Sequence, residues 1–169
     1  MIWLITGASH TGKTCLAQRL LEKHHVPYLS MDHLKMGLIR AGHTHLTPTS
    51  PDEALTAYLW PIVREMVKTA IENRQSMVVE GCYIPLNWAE DFAEDYLRDI
   101  RFVCLVMTER YIRTHWEEIR RYANVVENRL CDDCTMEELI VDNLSVLAQA
   151  RKHGAEFVLI DEAYQVNVE

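Results

Sequence analysis

The sequence lacks a long hydrophobic run, because no uninterrupted apolar stretch in it reaches 18 residues. A membrane-spanning helix needs about 20 consecutive apolar residues, so no such helix is predicted. The N-terminus also lacks a basic region and a cleavage site, so no signal peptide is predicted. These two absences favour a cytoplasmic protein.

The sequence also lacks an excess of basic residues. Lys and Arg together number 17 against 25 Asp and Glu, which gives a formal net charge of −8 at pH 7. General binding to nucleic acid or to an anionic membrane requires a basic surface, so both functions are disfavoured. A local basic pocket is still compatible with this charge balance.

The cysteines lack the pattern of a zinc site or of a disulfide framework. They are Cys15, Cys82, Cys104, Cys131 and Cys134, an odd number in a chain without a predicted secretion signal, so reduced thiols are expected. Cys131 and Cys134 form a CxxC pair, but no second CxxC and no HxxxH supplies further zinc ligands. We interpret the pair as a polar turn between two helices; a metal or redox site is the alternative.

Five short apolar runs alternate with helical patterns along a chain of 169 residues, 49% of which are hydrophobic. Strands are predicted at residues 1–6, 26–30, 76–80, 100–107 and 156–160. Helices are predicted at residues 15–21, 33–40, 51–73, 85–99, 108–128 and 136–153. The alternation predicts one α/β domain over residues 1–169, with a five-stranded parallel sheet flanked by helices on both faces.

Capping signals predict where two of these helices begin. Ser50 is predicted as an N-cap followed by Pro51 in the first helical position, and Pro61 predicts a kink or a break further along. Thr135 and Glu138 form a capping box for the last helix. That helix is expected to end near Gly154, since glycine favours the C-terminal cap position.

The pattern G-x-x-x-x-G-K-[ST], typical of a phosphate-binding loop, lies between the first strand and the first helix. Its residues are Gly7, Ala8, Ser9, His10, Thr11, Gly12, Lys13 and Thr14. The glycines let the backbone bend so that successive N–H groups point at phosphate oxygens. Lys13 adds a positive charge, and Thr14 offers a hydroxyl to Mg²⁺. The helix from Cys15 directs the positive end of its dipole at the same anion, so residues 7–15 are predicted to bind nucleotide.

Ligands of parallel α/β sheets bind at the carboxyl ends of the strands. In this sequence Gly7, Asp32, Glu80 and the residues after Met107 occupy those positions, so we expect them to converge on one cleft. The loop and the order of elements resemble small P-loop kinases of the adenylate kinase and shikimate kinase type. The resemblance covers nearly the whole chain in element order, and it is specific only in the loop.

This resemblance implies ATP and Mg²⁺ as cofactors and a small-molecule hydroxyl or phosphate compound as the phosphoryl acceptor. It also implies an acceptor-binding insert at about residues 33–75 and a short lid at about residues 108–134. A P-loop NTPase that acts as a hydrolase or a nucleotide-dependent switch is the alternative. A GTPase is disfavoured, because the sequence contains neither N-K-x-D nor D-x-x-G. A monomer and a homodimer are both compatible with the sequence.

The resemblance further implies roles for two acidic residues. Asp32 is expected to position the acceptor hydroxyl and receive its proton, and a helix N-cap is the alternative. Glu80 and Gly81 are similar to the acid–Gly–x–x–Pro segment of adenylate kinases, although Pro85 comes one residue late and no Arg follows it. Glu80 is therefore expected to hold a water on Mg²⁺ beside Thr14; a carboxylate that binds loop N–H groups is the alternative.

Basic residues complete the predicted site. Lys35 and Arg40 follow Asp32 where the acceptor binds in similar kinases, so an anionic acceptor is expected there. Arginines follow the fourth strand at positions 110, 113, 120, 121 and 129. Arg113, Arg120 and Arg121 best match the lid arginines that close over phosphates, with surface ion pairs to acidic residues four positions earlier as the alternative.

The predicted lid yields a first testable prediction. Residues 108–134 are polar, with few candidates for core burial after Ile119. Closure over bound nucleotide would exclude water, so amide hydrogen exchange in this segment should be fast in the free protein and slower with ATP and acceptor. Exchange measured by mass spectrometry at equal rates in both states would identify the segment as a fixed part of the fold.

Overall fold

The computed structural model describes residues 1–122 and 134–166 of the chain. The strands are β1 (Ile2–Gly7), β2 (Tyr28–Ser30), β3 (Met77–Glu80), β4 (Ile100–Met107) and β5 (Phe157–Ile160). The helices are α1 (Lys13–His24), α2 (Met31–Arg40), α3 (Asp52–Glu72), α4 (Glu94–Leu97), α5 (Glu109–Tyr122) and α6 (Met136–His153). None of the helices in these ranges combines the length and the apolar character needed to cross a bilayer.

The five strands form one sheet in the order β2-β3-β1-β4-β5, and every neighbouring pair is parallel. Ile5 of β1 pairs with Glu80, and Glu80 pairs in turn with Ser30 at the end of β2. Gly7 pairs with Leu105 of β4. The carboxyl ends of these strands therefore lie at one edge, and the predicted fold class is confirmed.

Alternate residues of the strands pack on opposite faces of the sheet. Leu4 and Val79 face a cluster that contains the buried residues of α3. Ile5 and Val78, their chain neighbours, face a cluster that contains the buried residues of α1 and α5. Because both faces of the sheet are covered, the strands consist almost entirely of apolar residues. This agrees with the short apolar runs from which the strands were predicted.

Residues 85–99 do not form the single helix that was predicted. The chain instead makes a 3-10 helix at Trp88–Asp91 and the short helix α4, with Phe92 in an extended conformation between them. Phe92 is buried and packs edge-on against Trp60, while Trp88 stacks on Phe102 with ring centroids 5.3 Å apart. Tertiary packing of the aromatic rings therefore overrides the helical spacing.

The predicted start of α3 is also wrong in detail. Pro51 is the N-cap, and the Ser50 hydroxyl accepts a hydrogen bond from the Thr47 N–H at 2.9 Å, which closes a turn in the preceding loop.

The helix α3 continues through Pro61 without a break. Trp60 and Val63, on either side of this proline, are buried in the core cluster that α3 covers, and this packing outweighs the lost backbone hydrogen bond.

The predicted capping box of α6 is confirmed. The Glu138 N–H donates to the Thr135 hydroxyl at 3.2 Å, and the Thr135 N–H donates to the Glu138 carboxylate at 2.8 Å. The helix ends at Gly154 with φ of 64°, as expected. Cys134 is partly buried just before this helix, whereas Cys131 lies outside the described residues, so the polar turn stays a prediction.

Only part of the predicted lid falls on described residues. Residues 109–122 form α5, and residues 123–133, including Arg129, lie outside the described ranges. Closure of the segment therefore stays a prediction.

The capping box predicts the effect of a mutation. Thr135→Ala removes the acceptor for the Glu138 N–H, so the free energy of unfolding should fall by about 1 kcal/mol. Thr135→Ser keeps the hydroxyl and serves as the matched control. Urea denaturation followed by circular dichroism measures both variants, and equal stability of the alanine and serine proteins would contradict the prediction.

Candidate active site

The glycine-rich loop begins at the end of β1, and two of its glycines pack closely against other parts of the chain. Gly7 has φ of 141°, and a Cβ at this position would lie 2.2 Å from the carbonyl oxygen of Leu105. Gly12 has φ of 80°, and a Cβ there would lie 2.3 Å from the hydroxyl oxygen of Tyr164. Both positions therefore require glycine, for their backbone conformation and for space.

Lys13 is held close to the start of this loop. Its ammonium group donates to the carbonyl oxygens of Gly7 at 3.1 Å and Ala8 at 2.7 Å, and the residue is 8% exposed. The Thr11 hydroxyl donates to the same Ala8 carbonyl at 2.8 Å. A largely desolvated ammonium at this position interacts more strongly with a phosphate than one in bulk water.

Tyr164 supports the loop from the other side and was not predicted from the sequence. Its hydroxyl donates to the carbonyl oxygens of Thr11 and Gly12, at 3.3 and 3.2 Å. Burial raises the pKa of Tyr164 to about 12, so the hydroxyl stays protonated and remains a donor at neutral pH. No local pattern in the sequence marks this side chain.

Thr14 and Glu80 meet beside the loop. The Thr14 hydroxyl donates to a carboxylate oxygen of Glu80 at 3.3 Å, and Glu80 is 2% exposed. A hydroxyl and a carboxylate are suitable Mg²⁺ ligands, and Mg²⁺ usually keeps several waters and binds substrate phosphates. In the described ranges no group of three or more His, Cys, Asp or Glu side chains could hold a metal ion. The Thr14 hydroxyl and the Glu80 carboxylate are the two protein groups here that could hold Mg²⁺ together with substrate phosphates.

Gly81 lets α2 approach this edge of the sheet. Its φ is 157°, and a Cβ there would lie 2.7 Å from the Cβ of the fully buried Met31. Met31 is the first residue of α2, so this close contact places Asp32, the next residue, beside the ends of β2 and β3.

Asp32 lies in the first turn of α2 rather than at its N-cap, which is Ser30. Its carboxylate accepts a hydrogen bond from Lys35 at 2.5 Å, and the two side chains are 35% and 11% exposed. Lys35 also donates to the Tyr83 hydroxyl at 2.8 Å, and its ammonium lies 4.9 Å from the centre of that ring. Burial raises the pKa of Tyr83, so this hydroxyl is neutral. Tyr83, which the sequence did not single out, thereby orients Lys35.

Cys82 follows Gly81 directly after β3, and the residue is exposed. Desolvation raises the pKa of its thiol, Asp32 and Asp52 raise it further, and Lys13 and Lys35 lower it. The net effect keeps the thiol protonated at neutral pH.

An acidic residue of α6 contacts the phosphate loop directly, which the sequence did not predict. The Ser9 N–H donates to the Asp142 carboxylate at 3.0 Å. The neighbouring Asn143 is 1% exposed, and its side-chain oxygen accepts from the Met107 N–H at 2.8 Å. Asn143 thus fastens α6 to the end of β4 and places Asp142 against the loop.

The predicted lid arginines do not contact the loop in this structure. Arg113 pairs with Glu109 at 2.8 Å, as the ion-pair alternative proposed, and Arg121 lies 5.1 Å from the ring centre of Tyr122. Arg120 is exposed. Their catalytic role stays a prediction that requires movement of α5 or of the side chains.

Arg110 and Arg40 lie at other places on the surface. Arg110 forms ion pairs with Asp161 and Glu162, which join the start of α5 to the residues after β5. Arg40 is exposed at the end of α2, and its contact with an acceptor stays a prediction.

No protein-family profile and no curated protein matches the sequence. Solved structures do match. A proposed kinase from Chloroflexus aurantiacus is 18% identical with a TM-score of 0.52, over 98% of this chain and 91% of its own. A shikimate kinase from Bacteroides thetaiotaomicron is 17% identical with the same TM-score of 0.52, over 95% of this chain and 86% of its own. Together with the loop and the strand order, these similarities show that the chain has the fold of the small P-loop kinases.

Proposed function

We propose that this protein is a cytoplasmic kinase that uses ATP and Mg²⁺ to phosphorylate a small molecule. The observation that carries the proposal is the contact between Thr14 and Glu80, at 3.3 Å, next to the buried Lys13 of the phosphate loop. This arrangement would combine a site for the phosphates with a site for a hard cation. Phosphoryl transfer needs both, because its catalysis rests mainly on positioning and on neutralisation of charge.

The residues of the loop would bind the phosphates of ATP. Residues 7–15 supply backbone N–H groups and the N-terminal end of α1, and Lys13 supplies a positive charge close to them. Thr14 and Glu80 would hold Mg²⁺, directly or through a water. The bound ATP and Mg²⁺ supply the phosphoryl group and neutralise part of its charge.

Asp32 would act on the acceptor. Its carboxylate lies at the sheet edge in the first turn of α2, where the hydrogen bond from Lys35 fixes its orientation. A carboxylate in this position can accept the proton of an acceptor hydroxyl if the two oxygens come within hydrogen-bond distance. Lys35, Arg40 and Gly81 are proposed to line the acceptor site, within an insert at about residues 33–75 of the single domain.

Closure over the site would involve the segment at about residues 108–134. Arg113, Arg120 and Arg121 are proposed to reach the phosphates in the closed state, where guanidinium groups would neutralise developing charge. Hydrolysis or a nucleotide-dependent switch is the alternative function, since either can use the same loop and metal residues.

Lys13→Ala tests the nucleotide site. The substitution removes the buried ammonium, so turnover should fall by about 10²–10³-fold, a loss on the order of 3–4 kcal/mol of transition-state stabilisation. ADP release measures turnover, and calorimetry measures the affinity for ATP with Mg²⁺. Lys23→Ala, in the last turn of the same helix, is the matched control. Unchanged affinity and turnover in Lys13→Ala would refute the proposed nucleotide site.

Asp32→Asn distinguishes the kinase from the hydrolase. The amide keeps the shape of the side chain but cannot take a proton, so turnover with acceptor should fall by about 10²–10⁴-fold. ATP affinity and melting temperature should change little. Asp95→Asn is a matched control, because Asp95 also lies in the first turn of a helix and pairs with a basic residue three positions later, Arg98. Normal acceptor-dependent turnover in Asp32→Asn would favour the hydrolase or switch.

A further inference from the structure

The phosphate loop is held from outside by the segment that follows β5. The Tyr164 hydroxyl donates to the carbonyl oxygen of Thr11 at 3.3 Å and to that of Gly12 at 3.2 Å. Tyr164 lies 153 positions from Thr11 in the chain, so this contact is formed by the fold and not by local sequence. One side chain therefore holds two successive carbonyl groups of the loop.

Each of these carbonyl groups determines the direction of a neighbouring N–H group. A peptide unit is planar, and it contains the C=O of one residue and the N–H of the next. The peptide bonds of the loop are trans, so the C=O and the N–H of one unit point in opposite directions. The Thr11 carbonyl is thereby coupled to the Gly12 N–H, and the Gly12 carbonyl is coupled to the Lys13 N–H. A donor that holds both carbonyls on one side directs both N–H groups to the other side.

These two N–H groups lie at the start of α1. Gly12 is the N-cap of this helix, and Lys13 is its first residue. The first N–H groups of a helix have no acceptor within the helix, which makes them suitable donors to an anion. The Gly12 carbonyl also accepts the Leu16 N–H at 2.9 Å and therefore points along α1. The Lys13 N–H consequently points out of the helix, toward the loop.

Gly12 needs such a restraint because of its backbone conformation. Its φ is 80°, and a Cβ at this position would lie 2.3 Å from the Tyr164 hydroxyl oxygen. Only glycine fits there, and glycine is also the residue whose backbone rotates most freely. Without a partner for the two carbonyls, the peptide units on either side of Gly12 could turn their N–H groups away from a ligand.

Tyr164 can supply this restraint because its own segment is anchored before and after it. Asp161 accepts a hydrogen bond from the Thr108 hydroxyl at 2.8 Å and forms an ion pair with Arg110. Val166 is 3% exposed in the apolar cluster that contains the buried residues of α1 and α5, and the Tyr164 ring packs against the same cluster. The hydroxyl is therefore presented to the loop from a fixed position.

We propose that Tyr164 is a positioning residue for bound phosphates: by holding the carbonyls of Thr11 and Gly12, it directs the N–H groups of Gly12 and Lys13 at the anion. Tyr164 acts through the backbone of the loop and not by contact with the phosphates. This inference rests on the part of the proposed function that assigns phosphate binding to the loop. It does not depend on the transfer of a phosphoryl group.

Tyr164→Phe tests the proposal, because it removes only the hydroxyl. The ring keeps its packing in the apolar cluster and its position 5.7 Å from the Arg19 guanidinium, so the variant should stay folded. Calorimetry would measure the binding of two probes, a non-hydrolysable ATP analogue and pyrophosphate, each with Mg²⁺. Both probes should bind about five- to tenfold more weakly, since hydrogen bonds between neutral groups change an equilibrium constant by about this factor.

Tyr96→Phe is the matched control. The Tyr96 hydroxyl also donates a hydrogen bond, to Glu72 at 2.7 Å, and its ring packs against the cluster on the other face of the sheet. This variant should bind both probes as the wild type does. Thermal unfolding of the two variants separates a loss of stability from a loss of affinity, because a residue that only supports the fold would lower the melting temperature and leave the affinities unchanged.

The relative changes of the two probes decide the proposal. Weaker binding of both probes by a similar factor supports it, because they share only their phosphates. Weaker binding of the ATP analogue alone would show that Tyr164 acts on the nucleoside, and unchanged binding of both would reduce Tyr164 to a structural support. Either result overturns the proposal.

The same measurements distinguish this inference from the proposed function. If Tyr164→Phe binds both probes normally while Lys13→Ala does not, the nucleotide site stands and the role of Tyr164 fails. Wild-type protein that binds no pyrophosphate would show that the loop does not hold phosphates by itself, which also overturns the role of Tyr164. A protein that loses affinity for both probes in Tyr164→Phe but transfers phosphate to no hydroxyl compound would retain this inference and lose the kinase function.

Discussion

The parallel pairing of β1 with β3 and β4 is the constraint on which the site depends. It brings the end of β1, where the phosphate loop begins, level with Glu80 on one side and Leu105 on the other. Glu80 then lies within hydrogen-bond distance of Thr14, although 66 positions separate the two residues in the chain. Because both faces of the sheet are covered by apolar clusters, polar groups gather at its carboxyl edge.

The helices around this edge are attached by specific polar and steric contacts. Gly81 admits α2 close to the end of β3, and Asn143 ties α6 to the end of β4. Tyr164 fixes the loop from the segment after β5. As a result, Asp142 of α6 contacts the loop at Ser9, and Asp32 in the first turn of α2 lies close to the end of β2.

Local signals in the sequence were reliable where short-range physics decides the structure. The capping box at Thr135 and the C-terminal glycine at 154 are found as predicted, because both depend on hydrogen bonds and backbone angles within one helical turn. Predictions failed where packing decided. Phe92 interrupts the helix expected over residues 85–99, because its ring is buried in the core. Of the kink or break predicted at Pro61, the break is absent, because the residues that flank the proline are held in the core.

The sequence by itself determined the glycine-rich loop pattern, the five alternating strands, and the positions of Asp32 shortly after β2 and of Glu80 at the end of β3, because these follow from residue type, spacing and periodicity. Only the tertiary structure decided that Asp142 contacts Ser9, that Tyr83 and Asp32 share Lys35, and that Tyr164 braces the loop. Most of these contacts join residues that lie far apart in the chain, and no local pattern records which side chains a fold brings together. These contacts therefore became visible only in the folded chain.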